Sequence, residues 1–458
     1  MTTTVNSYHE KYSFILMSSA LLCIVVGIAL GALSALYYVP TIAVYLKSIN
    51  LSLAKLRPIH TTFVSAWIFL GGLAMVHRYL LKTYGPFNRC ERFLFKGQMF
   101  LWIIAGLGIL ISLFMGFTSG REYIGYLPIF SFFILFGWIF YAANFIGRVA
   151  RGFWDKPVYV YMWMVSVFYF IYTFIEAHAF LLPFISEYPV VDLQIQWKSY
   201  GSLVASFNLL VYGSLIYLAE EISCCKKYGQ SRLAFALFGV GLLNSFTNYA
   251  HHTYHVPQNH LIKWIAFIVS SMEIIILAKI LIDVSHMLMQ RNCFKTTKTH
   301  EYFINLTKCW TFGMLCVAIL ISLPPINTLI HGTHVITAHA MGSEIGIDSY
   351  ILFAVFSFML TEMFFNNQKA MDILNGVTIK RVVRIMNLLV LVLVSWLFLS
   401  GTAVGVFRFL NEKAPQFTTW TPYVLAVCGF LLAITFGKFL FLWFRVIKMG
   451  LYRLSSMG

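Results

Sequence analysis

The chain has 458 residues, of which 59% are hydrophobic and only 11% charged, and its mean hydropathy is +0.77. A soluble domain of this size cannot hide that much apolar surface, so the composition excludes a soluble fold and predicts an all-α polytopic membrane protein. The net charge is +16. In such a chain the placement of Lys and Arg carries the information, and nothing in it points to nucleic acid.

Apolar runs of membrane-spanning length fall at about 13–39, 60–82, 95–117, 125–147, 157–183, 199–220, 231–252, 261–287, 306–329, 335–365, 382–409 and 421–446. Twelve helices are therefore expected. The first run, Phe14 to Tyr38, is too long for a signal peptide. No appended soluble domain, linker or repeat is visible, so residues 1–458 read as one membrane unit. Eight cysteines occur without CxxC or CxxCH, which excludes a zinc ribbon and a covalently attached haem.

Loop charges alternate. One set of loops carries Arg78, Lys82, Arg89, Arg92 and Lys96, then Arg148, Arg151 and Lys156, then Lys226, Lys227 and Arg232. The same set continues with Arg291, Lys295 and Lys298, with Lys380, Arg381 and Arg384, and with Arg445, Lys448 and Arg453. The opposite loops hold only Lys47, Lys55, Arg57, Arg121, Lys198, Arg408 and Lys413. By the positive-inside rule both termini are cytoplasmic.

This topology gathers histidines at the outer end. His60 opens the second helix, His251 and His252 end the seventh, and His331, His334 and His339 open the tenth. Histidine is costly in lipid unless it ligates something or finds a polar partner. His339 and Met341 lie two apart, a rotation of roughly 200° on a helix, so they address opposite sides. Imidazole and thioether are both axial ligands of haem iron. A core-filling methionine and a merely polar helix entrance are the plainer readings of the same residues. Glu273 lies inside the eighth helix, where an intramembrane carboxylate is by default a functional candidate and otherwise a buried, hydrogen-bonded acid. Glu176, His178 and Glu344, near the outer ends of their helices, are candidates for an external proton path, though such residues more often satisfy local polar groups.

These segments resemble the catalytic subunit of the haem-copper oxidase superfamily, closest to the nitric oxide reductase branch and the related C-family oxygen reductases. Arg57-Pro-Ile-His60-Thr-Thr is similar to the low-spin haem ligand segment. Gly120-Arg121-Glu122-Tyr123 is similar to an outer loop whose glutamate helps hold calcium. Tyr249-Ala-His251-His252-Thr-Tyr is similar to the paired histidines of the non-haem metal. Ser271-Met-Glu273 is similar to the membrane glutamate of nitric oxide reductases, and His331 through Met341 to the tenth-helix ligand segment. The resemblance implies two haem b groups, with His60 and Met341 on the low-spin haem, His339 on the high-spin one and His331 beside the cofactor. It places a non-haem metal on His251 and His252, iron or alternatively copper, and a calcium ion at Glu122.

Three departures from the family pattern narrow the function. Met341 stands where a second histidine is usual, and His/Met ligation raises the potential. Ser202 and Ser206 stand where the third metal histidine and a glutamate are expected. Two imidazoles alone make a poor shell, so oxygen donors drawn from Ser202, Ser206, Asn208, Tyr249 and Glu273 are expected to complete it, which suits iron better than Cu(I). Ser245 occupies the place of the tyrosine that, cross-linked to the missing histidine, supplies an electron in O₂ cleavage. The expected activity is therefore reduction of NO to N₂O, with Glu273, His251 and His252 as catalytic residues. The alternatives are a divergent oxygen reductase and a non-catalytic haem b electron carrier or gas sensor. Electrons must come from a cytochrome c subunit or from quinol, and the expected location is a prokaryotic inner membrane.

Overall fold

The computed structural model describes residues 7–224, 226–247, 253–254, 257–290 and 298–455. Among these residues there is no strand. The membrane helices are numbered in chain order. They are α1 (Ser7–Leu36), α2 (Leu53–Tyr84), α3 (Arg89–Met115), α4 (Ile129–Val149), α5 (Val158–Glu176) and α6 (Pro189–Ser223). Then follow α7 (Arg232–Thr247), α8 (His260–Gln290), α9 (Lys298–Ser322), α10 (His334–Phe364), α11 (Val377–Phe409) and α12 (Thr421–Ser455). Eleven crossings are long and apolar enough to span a membrane, and the described part of α7 is a shorter apolar helix. Several helices run past their apolar cores. α6 starts at Pro189, a residue suited to a first turn, and α12 continues to Ser455.

Two helices form the centre. In α10 every residue from Tyr350 to Thr361 is buried, and in α6 the whole stretch Leu209 to Ser223 is buried. Over those turns α10 is apolar nearly all round, the pattern of a helix enclosed by other helices, and α6 is apolar apart from Ser214 and, at its end, Glu220, Glu221 and Ser223. α2 touches both. Its Gly71 and Gly72 have no room for a side chain, because a Cβ would stand 2.9 Å from Leu352 Cδ1 and 2.5 Å from Leu210 Cγ. The periphery is different: α3 turns Phe100, Ile103, Leu107 and Ile111 outward, as a lipid-facing stripe requires.

Each end of the bundle is tied by ion pairs. At the end where α2, α6 and α10 begin, Arg57 meets Glu122 (2.5 Å), Arg121 meets Asp192 (2.7 Å) and Lys198 meets Glu176 (2.5 Å). At the other end Arg78 pairs with Glu362, Lys82 with Glu221 and Arg148 with Glu91. Glu91 also closes a reciprocal cap with Asn88, so one carboxylate both starts α3 and fixes α4 against it.

Candidate functional site

His60 lies two turns into α2, beyond Pro58, and it is held by α1. Its ring Nδ1 is 2.7 Å from the carbonyl oxygen of Gly27, a distance at which the N–H donates and Nε2 is left as the ligating nitrogen. One turn along α1, a Cβ at Gly31 would stand 2.5 Å from the same ring. Gly31 thus leaves room for the imidazole edge, while Gly27 supplies the carbonyl and lets α1 approach Val64 of α2, where a Cβ would stand 2.8 Å from Val64 Cγ2. The arrangement fits an axial haem ligand: a half-buried ring oriented by a backbone acceptor, with Nε2 left over.

α10 begins by a sharp turn. The short helix Pro324–Ile330 ends at His331, Gly332 takes a left-handed φ of +71°, and the Thr333 hydroxyl caps the new helix at Val335 N–H (3.3 Å). Arg408 of α11 donates to the carbonyls of Leu329 (3.0 Å) and His331 (2.8 Å), which pins this entrance. α11 itself presses on it, since a Cβ at Gly401 would be 2.4 Å from Val335 N. His339 follows with its Nδ1 buried and without a hydrogen-bond partner. A buried imidazole nitrogen left unbonded is destabilising unless a ligand completes it, so His339 also fits a haem ligand.

The relative depth of His60 and Met341 follows from one contact. Trp67 of α2 donates to Ser349 Oγ of α10 at 3.1 Å, and the two helices run in the same direction. His60 precedes Trp67 by seven residues and Met341 precedes Ser349 by eight, each about 10–12 Å nearer the same end. The two expected ligands of the low-spin haem therefore lie at one level. Met341 is half-buried against the core.

The α6–α7–α8 side is built from hydroxyls and amides. Ser202 donates to the carbonyl of Ser245 (3.1 Å), and Tyr169 of α5 donates to both Ser202 Oγ (3.1 Å) and that same carbonyl (2.7 Å). Ser206 donates to the carbonyl of Ser166 at 2.7 Å. The hydroxyl protons of both serines are thus committed to neighbouring helices. Glu273 accepts from Asn244 of α7, whose oxygen in turn accepts from Ser270 at 2.8 Å. His251, His252 and Tyr249 lie outside the described residues. Among the described residues no three His, Cys, Asp or Glu side chains converge as a metal site.

The remaining candidates are locally engaged. Glu122 is paired with Arg57 at 2.5 Å in the loop at this end of the bundle. Beside it Tyr123 is half-buried with its ring against Tyr200 of α6, and its phenol is pushed above the usual tyrosine range by desolvation and then by the carboxylates of Glu344 and Glu122. His178 is held between Ser131 (2.6 Å) and the Phe174 carbonyl (2.7 Å). Asp348 is the residue that sequence reasoning missed. It is 2% exposed, inside a π-helical stretch of α10 from Glu344 to Ser349. An aspartate within the apolar run from Ala340 to Leu360 was the available signal.

A family profile described as "Cytochrome C and Quinol oxidase polypeptide I" matches residues 12–441. The chain belongs to that family. It is a haem-copper oxidase subunit I protein, an integral membrane protein of a family whose members are oxidoreductases that bind haem. Among solved structures it is similar to one described as a haem-copper terminal oxidase dimer. The TM-score is 0.72 at 15% identity, over 96% of this chain and 84% of the other. That likeness concerns the fold. No functionally curated protein matches the sequence.

Proposed function

We propose that the chain reduces nitric oxide to nitrous oxide, 2 NO + 2 e⁻ + 2 H⁺ → N₂O + H₂O. The observation that carries this reading is the state of Ser202 and Ser245. The pair that would stand there for O₂ cleavage, a histidine cross-linked to a tyrosine, is replaced by a serine bonded to a serine carbonyl. That replacement removes an electron source needed for a four-electron reaction, while a two-electron reaction does not require it.

In this reading His60 and Met341 hold a low-spin haem b and His339 a high-spin one, with His331 beside it. His251 and His252 hold a non-haem metal, iron in preference to copper. The haems supply electrons one at a time to the bound gas. The chain's own task is to deliver protons, and Glu273 is the group for it: its carboxylate sits between α7 and α8, hydrogen-bonded to Asn244. The electron donor is a cytochrome c subunit or quinol. In this reading both termini are cytoplasmic, which the distribution of Lys and Arg supports, and the membrane is a prokaryotic inner membrane.

The test is anaerobic turnover of the purified protein with NO and an electron donor, with N₂O measured by gas chromatography. Production of N₂O is expected, together with iron in excess of haem iron. Glu273→Gln should lower the rate by about a hundredfold, the usual contribution of a positioned proton donor, at unchanged haem content. Rapid O₂ consumption with no N₂O would overturn the proposal in favour of an oxygen reductase.

A further inference from the structure

A second polar site lies between α11 and α12, at the end of the bundle opposite His60 and His339. The two helices run antiparallel, joined through residues 410–420, and near that join the hydroxyls of Ser400 and Thr421 are hydrogen-bonded at 2.6 Å. Arg381 precedes Ser400 by nineteen residues and Lys438 follows Thr421 by seventeen, so the two cations lie about 28 Å and about 26 Å below the same level. A hydrocarbon core is about 30 Å thick. Both cations therefore stand at one depth, near the far boundary of the hydrocarbon. A cavity of about 140 Å³ opens between them. α11 lines it with Thr378, Arg381 and Ile385, spaced three and four apart along one face, and α12 with Ile434, Thr435 and Lys438.

The lining is graded. Thr378, Arg381 and Lys438 stand at the end of the bundle, and Ile385 and Ile434 lie one turn nearer the middle of the bilayer. The exposed Leu388 and Val392 of α11, and the exposed Leu431 and Val427 of α12, continue the same two faces inward. Charge is one-sided. Neither α11 nor α12 contains an Asp or Glu. No ion pair among the described residues includes Arg381 or Lys438. Thr435 donates its proton to the Leu431 carbonyl at 2.7 Å, which leaves Thr378 as the hydroxyl able to donate into the cavity. Lys438 interrupts an apolar run, since Phe-Leu-Phe-Leu-Trp follows it, and a cation so placed is expected to have a partner. A lone lysine at this depth need only extend its stem into water. Two cations from neighbouring helices around one cavity are a different case, because basic pockets between membrane helices hold anionic headgroups.

We propose that Arg381 and Lys438 bind the phosphate of an anionic phospholipid, with Thr378 donating to a phosphate oxygen and the acyl chains lying along Ile385 and Ile434. The occupant is a lipid and not free phosphate, because the cationic end of the cavity leads into apolar faces that a phosphate ion would leave uncovered. Its head is anionic and not zwitterionic, because no carboxylate lines the cavity to receive an ammonium group. The site is independent of which gas the protein reduces.

The test is native mass spectrometry of the delipidated holoprotein, titrated with phosphatidylglycerol, with phosphatidylcholine of the same acyl chains, or with inorganic phosphate. The wild type should take up one phosphatidylglycerol more tightly than any phosphatidylcholine, and inorganic phosphate should not displace it. Arg381→Gln and Lys438→Gln should each weaken that first lipid by about fivefold, and the double variant by about thirtyfold, with the haem spectra unchanged. Arg384→Gln, which removes an exposed cation outside the cavity, should bind as the wild type does. Equal affinity of the wild type for the two lipids overturns the proposal. Displacement by inorganic phosphate overturns the lipid assignment, and an equal loss in Arg384→Gln reduces the effect to general surface charge. Should the double variant lose haem, the single variants and the wild-type comparison of the two lipids decide.

Discussion

His60 and Ser202 each tie a membrane helix to its neighbour through one hydrogen bond to a backbone carbonyl, Gly27 in the first case and Ser245 in the second. The outcomes differ. Imidazole has two nitrogens, so bonding one orients the other toward a ligand. A hydroxyl has one proton, and Ser202 commits it to the carbonyl while accepting from Tyr169. On the α1–α2 side a nitrogen is left over, as the proposed haem ligation requires, whereas the α6–α7 side uses its hydroxyl to hold two helices together. The comparison teaches that a shared fold does not carry its ligands with it. Each position has to be read for the donor capacity it has left.

The largest effect should come from emptying or filling the His60 slot. His60→Ala should remove the low-spin haem signal, halve the haem-to-protein ratio and stop turnover, while the high-spin spectrum remains. Gly31→Leu should give the same spectrum by a different route, since overpacking at 2.5 Å displaces the ring. Retention of both haems in either variant would break the assignment of the α1–α2 side.

A smaller effect is expected at Met341. Met341→His should leave two haems in place and lower the low-spin midpoint potential by a fraction of the ~0.8 V range that axial ligation covers. A titration that superimposes on the wild type would reduce Met341 to packing and leave His60 without the partner at its depth.

The smallest effect sharpens the other half of the comparison. Ser202→Ala should lower stability by about 1 kcal/mol, the value of one interhelical hydrogen bond, with metal content and turnover near the wild type. Loss of the non-haem metal in this variant would show that Ser202 is a ligand after all, and the contrast with His60 would disappear.

Much of this was legible in the sequence, for physical reasons. A membrane span must satisfy its own backbone, so each helix shows as an apolar run. Histidines at run ends place His60, His331, His334 and His339 toward one end of the bundle without any knowledge of contacts. The slot at Gly31 was not legible, because a glycine in an apolar helix looks like packing until the ring from another helix is seen against it. The same holds for Tyr169, which closes on Ser202 and Ser245 across three helices and carries no local pattern. Glu344 was legible as a candidate for an external proton path, but its place in a π-helical stretch was not. Asp348 went unread because the apolar period around it was taken as uninterrupted, when the backbone there follows a wider turn.

That wider turn has an angular consequence. The lower part of α10 is locked by Trp67 on Ser349 and by the ring of Phe353 against Trp67. The upper part carries His339 and Met341 in ordinary α-helix. The extra residue taken up between them acts as a fixed phase offset of about 100°, one residue's rotation on an α-helix. Removing a single residue from Glu344–Ser349 would leave the bottom of the rod seated and swing both ligands around the axis. The direction in which His339 and Met341 face is thus written in the length of a six-residue segment that need not touch either of them.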